Sequence, residues 1–217
     1  MVANSMPGVS VITALFGDYD WVPPVPNGFA EAILVSDVPI ASGWSNVILD
    51  TRCDSFLSAK LPKFRPDLFC STGSSVWIDA NIHDPKDWLF QESANMLAGH
   101  DIALFRHPNR ETVKSEIKES QKFQKYNTSP LKNQYREYQD AGFQDDAGLW
   151  ACGLIARHHT VENSDFGNAW FIENARWSIQ DQISFSYLAW KRDLEIGVFK
   201  GNLWKSPLKF NKHKLKN

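Results

Sequence analysis

Cysteine is scarce in this chain, with three in 217 residues: Cys53, Cys70 and Cys152. An odd count at those spacings matches neither a disulfide framework nor a zinc pattern. It predicts reduced thiols and a cytoplasmic setting. Also missing is any apolar run near the ~20 residues needed to span a bilayer. The first residues, MVANSMPG, lack the basic start and long apolar stretch of an export signal. There is no internal repeat and no low-complexity block. Nor does one charge sign dominate: the formal net charge of −2 excludes a molecule whose whole surface attracts nucleic acid. Acids are absent from Gly197 to Asn217, where six lysines occur. That end, with Trp204 and Phe210 interleaved, predicts a basic tail over 201–217 beyond a domain over 1–200. Such a tail suits a phosphate backbone or another anionic partner.

What is present is a chain long enough for one sizeable domain with a real core. It is 43% hydrophobic and 13% aromatic, with nine Trp. Aromatics build cores, and they also line sites that stack on rings or sugars. The stretch VSVITALF (9–16) is nearly all apolar, as expected of a strand covered on both faces. Segments 30–36, 46–50, 75–81, 101–107 and 149–157 predict further strands. Between them, 54–69 predicts short helical turns broken at Pro62 and Pro66. A helix is expected over 85–97 with Pro85 in its first turn, and another over 110–126. A third spans 129–142, with Ser129 as cap and Gly142 as stop. Two more, near 165–177 and 179–191, close the body. Alternating strands and helices predict an α/β fold with a mostly parallel central sheet flanked by helices. Ligands of such sheets bind beyond the C-terminal ends of the strands, where Asp18, Asp37, Asp50, Asp79, Asn81, His107 and Arg157 fall.

One of these ends poses a specific problem. In SVWIDAN (75–81) an apolar strand stops at Asp79-Ala80-Asn81. A carboxylate there is costly unless something pairs with it. Alternation along a strand turns Asp79 and Asn81 to the same side. Two oxygen-bearing side chains together suit a hard cation such as Mg²⁺ or Mn²⁺ with substrate phosphates as co-ligands. They equally suit an Asx turn with no ligand.

Eight further pieces, in order from about residue 9 to 192, bear on that choice. They are VITALFGDYD (11–20), ILVSD (33–37), GW (43–44), AKLPKFRP (59–66), SVWIDANI (75–82), FRHPNRETVKSEI (105–117), GLWACGLIARHH (148–159) and DQISFSYLAWK (181–191). Together they resemble a plant and microbial family of glycosyltransferases long described only as a domain of unknown function. That family looks like the GT-A group: a single Rossmann-like domain, a nucleotide-diphosphate sugar such as a UDP-sugar as donor, and an Asp-x-Asp ending a central strand. Here Asn81 stands at the second Asp.

The resemblance implies roles for individual residues. Thr13, Phe16 and Tyr19 would contact the nucleotide, Asp37 the base or ribose, and Lys60 the diphosphate or donor sugar. Asp79 and Asn81, with His213 from the C-terminal end, would hold Mn²⁺ or Mg²⁺. His107, Arg110 and Glu116 would face the acceptor or donor sugar. Asp181 and Gln182, at a helix start beside the anomeric carbon, would be catalytic. Ser178-x-x-Asp181 also fits a capping box. Two courses stay open: Asp181 as base with inversion, or Asp181 and Gln182 steadying a cationic sugar with retention, the latter slightly favoured. The acceptor would be a glycan or a modified base in DNA, the basic tail touching the nucleic acid. The competing expectation is a nucleotide- or sugar-binding module without turnover.

Overall fold

The computed structural model describes residues 8–50 and 54–214. Cys53 lies outside them; Cys70 and Cys152 are free thiols. Seven strands form the central sheet: β1 (Ser10–Leu15), β2 (Glu31–Ser36), β3 (Ser45–Ile48), β4 (Ser74–Ile78), β6 (Ile102–Arg106), β7 (Trp150–His158) and β8 (Gly197–Val198). A separate pair joins β5 (Ile82–His83) to β9 (Lys209–Phe210). The order across the sheet is β3-β2-β1-β4-β7-β6-β8. The pairs β3/β2, β2/β1, β1/β4 and β6/β8 are parallel. Only β7, between β4 and β6, runs antiparallel. The expected mostly parallel α/β sheet is therefore present.

Strand alternation sorts the apolar residues into two layers. Ile12 and Ala14 of β1 face one side, Val11 and Leu15 the other. The first layer is covered by five helices: α1 (Ser55–Phe64), α3 (Val113–Ser120), α4 (Leu131–Asp140), α5 (Val161–Arg176) and α6 (Asp181–Lys191). The second is covered by α2 (Trp88–Leu97) with Phe199, Leu203 and Leu208. Among the described residues no helix is long and apolar enough to cross a membrane.

Several boundaries differ from expectation, each for a local reason. Helix α1 runs unbroken through Pro62. Its last turn is held from outside: the fully buried Arg157 donates to the carbonyls of Lys63 (2.8 Å) and Phe64 (3.3 Å). The Phe64 ring also stacks on Trp170 at 3.9 Å. These contacts offset the hydrogen bond that the proline cannot make. Helix α2 starts at Trp88 rather than Pro85, because Asp84 accepts from the backbone N–H groups of Lys86 and Leu89. Helix α3 begins only at Val113, where Asp145 accepts from Val113 and Lys114. It is followed by a separate 3₁₀ turn at Gln124–Tyr126. At α4 the cap is Pro130, not Ser129. The Ser178 capping box does not form: Ser178 donates to Gln134 (3.0 Å), and α6 starts at Asp181 after Gln180.

Residues 201–214 lie on the domain. Leu203 and Leu208 are buried, and β9 pairs with β5. The backbone then runs back over the strand ends, with Asn211 N–H donating to Asn81 O (2.7 Å) and Lys214 N–H to Tyr19 O (3.2 Å).

Candidate active site

Parallel pairing of β1 with β4 brings their C-terminal ends to one edge of the sheet. A cleft of about 280 Å³ opens there. Phe16 and Tyr19 reach it from the loop after β1, and Asp79 and Asn81 from the end of β4. Lys60 and Lys63 come from α1, Asp181 and Gln182 from the start of α6, Lys125 and Tyr126 from the 3₁₀ turn. His213 arrives from the C-terminal segment.

The centre is a chain of charges. Lys63 is only 3% exposed, and its ammonium lies 3.1 Å from Asp79 Oδ1 and 2.6 Å from Asp181 Oδ2. Lys60 adds a second contact to Asp181 at 2.8 Å. Trp77 Nε1–H donates to Asp79 Oδ1 (2.8 Å). For Lys63, burial favours the neutral form, but Asp181 and Asp79 outweigh it and push its pKa above the ordinary lysine range. For Asp181, burial favours the neutral acid, but Lys60 and Lys63 outweigh it and hold the carboxyl far below the usual range. Both groups are charged at neutral pH. Lys125, by contrast, makes no ion pair among the described residues and lies over the Tyr19 and Tyr126 rings at 5.8 and 5.2 Å. Burial, then the neighbouring Lys60, lower its pKa. The cleft thus holds a cation in want of an anion.

The framework behind these groups is rigid. Trp170 of α5 donates its indole N–H to Asp181 O (3.0 Å) while stacking on Phe64. One side chain therefore ties the end of α1 to the start of α6. Gln180, just before Asp181, donates to Glu116 (2.6 Å) and Ser120 (3.0 Å).

The residues expected to hold a cation come together in one place. Asp79, Asn81 and His213 line the same cleft. Lys63 and Trp77 both use Oδ1 of Asp79, so Oδ2 is not engaged by them. His213 donates its Nδ1–H to Asp20 (2.5 Å), and its ring packs on Tyr19 at 4.8 Å. In a neutral ring this contact would leave Nε2 as the lone-pair nitrogen, the arrangement typical of a ligating histidine steadied by a carboxylate. A carboxylate oxygen, an amide oxygen and an imidazole nitrogen suit Mn²⁺ or Mg²⁺. No three His, Cys, Asp or Glu side chains converge as a metal cluster among the described residues. A cation held here would therefore need substrate oxygens to complete its coordination.

Of the other expected residues, Thr13 does not line the cleft. It is fully buried within β1, with its hydroxyl unpartnered. Asp37 also lies outside the lining and accepts from Gly17 N–H (3.0 Å), shaping the loop after β1. His107, Arg110 and Glu116 cluster, but as a buttress. Arg110 is paired with Glu116, which receives Gln180. His107 Nδ1 accepts from the backbone N–H groups of Asn109 (3.2 Å) and Arg110 (3.0 Å), and its Nε2 lies 3.1 Å from the Arg110 guanidinium. Burial and Arg110 lower its pKa to about 4. His107 also borders a second, smaller chamber beyond Asp79. Missed from sequence were Lys63, Lys125, Tyr126, Asp20 and Gln180. Lys63 had a signal: it follows Lys60 by three residues and so shares its face once the helix runs on through Pro62.

Known proteins place this geometry. No curated protein matches the sequence. Among solved structures, one titled WbbM bifunctional glycosyltransferase, apo structure, superposes with a TM-score of 0.50 at 11% identity. The match covers 91% of this chain and 40% of that one, so this chain spans about two fifths of that protein's length. It shows a shared fold. A family model, TOD1/MUCI70 glycosyltransferase-like domain, matches residues 46–213. That span carries α1, the Asp79–Asn81 strand end, the start of α6 and His213, and the chain belongs to the TOD1/MUCI70 glycosyltransferase-like domain family.

Proposed function

We propose that the protein transfers a sugar from a nucleotide diphosphate, a UDP-sugar in the first instance, to an acceptor hydroxyl. One observation carries this reading: a cleft at the C-terminal strand edge in which three lysines face three carboxylates (Asp20, Asp79 and Asp181) and the aromatic rings of Phe16 and Tyr19. The rings suit a nucleoside, and Lys60 and Lys125 suit the diphosphate. A divalent cation held by Asp79, Asn81 and His213 would supply positive charge to the diphosphate oxygens. Asp79 has a second task in either case, since it fixes Lys63.

Asp181 is a poor proton acceptor, because two ammonium groups hold its pKa far below neutrality. That favours retention. The bond from the anomeric carbon to the phosphate oxygen breaks, and its electron pair leaves with the nucleoside diphosphate. The acceptor oxygen bonds to the anomeric carbon on the same face, and its proton passes to the departing phosphate oxygen. Asp181 and Gln182 stand beside the positive charge that develops on the sugar.

The test is turnover of UDP- and GDP-sugars with Mn²⁺ or Mg²⁺, read as nucleoside diphosphate release with and without pyranoside acceptors. Asp79→Ala is expected to reduce turnover by roughly a hundredfold or more at saturating donor. Donor binding without release across the acceptor panel would instead identify a binding module, and release by inversion would return the base role to Asp181.

A further inference from the structure

Beyond Asp79 lies the second chamber, of about 130 Å³, under half the volume of the donor cleft. The two share Asp79, Asn81 and Gln182 as a common wall. A group in the second chamber therefore reaches side chains that also wall the donor cleft. Its other walls are mostly apolar: Leu203, Trp204, Phe210, Ile82 and Pro108, with His107. Among the described residues no lysine or arginine lines it, in contrast to the cleft next door.

Three details show that the chamber is built for an occupant. Trp204 is 53% exposed, which leaves much of a large ring in water beside a pocket. Its backbone is nonetheless fixed. Its N–H donates to Asn202 (2.9 Å), and the preceding Leu203 is buried, so the ring needs little ordering on binding. Gln182 Oε1 is buried with no hydrogen-bond partner among the described residues, an acceptor that calls for a donor. Gly153 supplies the space. A Cβ there would come within 3.2 Å of Asp79 Oδ2, 3.4 Å of Ile82 and 3.7 Å of Leu203.

We propose that this chamber is the acceptor subsite and that it takes the pyranose ring of a carbohydrate, stacked on Trp204 with a hydroxyl directed to Gln182. A pyranose has an apolar face of C–H bonds and a rim of hydroxyl groups. It matches an aromatic ring on one side and an unpartnered amide oxygen on the other. A base in DNA would bring phosphates that need neutralising lysines or arginines, and the lining offers none among the described residues. The inference rests on the proposed sugar transfer.

The experiment uses the full chain loaded with UDP and Mn²⁺. Saturation-transfer NMR reads binding of methyl α- and β-pyranosides of glucose, galactose and mannose, with glycerol and a short single-stranded oligodeoxynucleotide alongside. At least one pyranoside is expected to bind the wild type and to lose roughly five- to tenfold in affinity in Trp204→Ala. Trp204→Phe should recover part of the loss. UDP affinity and the thermal midpoint should not move, because Trp204 is exposed and outside the donor cleft. Three results would overturn the proposal: no pyranoside bound, equal binding by Trp204→Ala, or preference for the oligonucleotide. Failure of UDP itself to bind the wild type would instead remove the donor reading, a separate outcome.

Discussion

Lys63 carries more of the site's electrostatics than any other side chain. It joins two carboxylates from distant parts of the chain, and it is nearly dry. Removing one partner of a buried pair costs about 3–5 kcal/mol because the other charge is left uncompensated. Lys63→Met should therefore lower stability by about that much in urea denaturation. Adding Asp181→Asn to it should restore part of the loss. A double variant less stable than Lys63→Met would mean the pair is not energetically coupled in this way. The pH dependence follows from the shift directions. Asp181 is depressed, so its contribution is full above the unfolded value of about 3.9 and is lost as pH falls through the folded one. Lys63 is raised, so its contribution is full below about 10.4 and is lost as pH rises through the folded value. Neither titrates near neutrality. His107 does affect the acid side. It is neutral when folded down to about pH 4, whereas unfolded chains take up its proton near pH 6.5. Stability should fall between those values on acidification, and His107→Asn, which can still accept from the backbone, should flatten that slope in thermal scans. Asp79 and Asp181 were legible because a carboxylate at a strand or helix end stands out. Lys63 was hidden because Pro62 argued that the helix stopped before it.

Elements were legible where one signal dominates. The strands carry continuous apolar runs, and five were located within a residue or two, while the expected strand over 75–81 ends three residues early, at Ile78. Helix starts were not, because the groups that fix them are remote in sequence: Asp145 for α3, and Gln134 capturing Ser178 before α6. Helix α1 shows the same dependence. It crosses α5 so closely at Gly167 that a Cβ would lie 2.0 Å from Phe64 O. Gly167→Ala must push the helices apart, and overpacking of this kind costs about 1–3 kcal/mol or more. Because Lys63 adjoins Phe64, nucleotide affinity should fall along with the melting temperature. A variant that melts normally would contradict the packing. The C-terminal segment makes a further prediction. Asp20→Asn keeps the shape but weakens the orientation of His213, and such partners are worth about 10–100-fold in metal affinity. Calorimetry of Mn²⁺ binding in the presence of UDP checks this, and unchanged affinity would separate His213 from the cation.

At the scale of the whole molecule, a net charge of −2 conceals a cleft in which Lys60, Lys63 and Lys125 are gathered with Asp20, Asp79 and Asp181. Bulk charge pointed away from anionic partners, yet the fold brings three lysines from segments up to 65 residues apart to one place and leaves Lys125 without an ion pair among the described residues. The parallel sheet does this work, since it sends the ends of β1 and β4 to one edge. Family membership makes this a glycosyltransferase-like domain. The donor assignment then depends on the cleft binding a nucleotide diphosphate. Isothermal titration of UDP with Mn²⁺ into the wild type, Lys60→Ala and Asp79→Ala tests it most directly. The account predicts saturable one-to-one binding by the wild type, weakened at least tenfold in each variant (about 1.4 kcal/mol). Wild-type affinity in both variants, or no binding by the wild type, would contradict it.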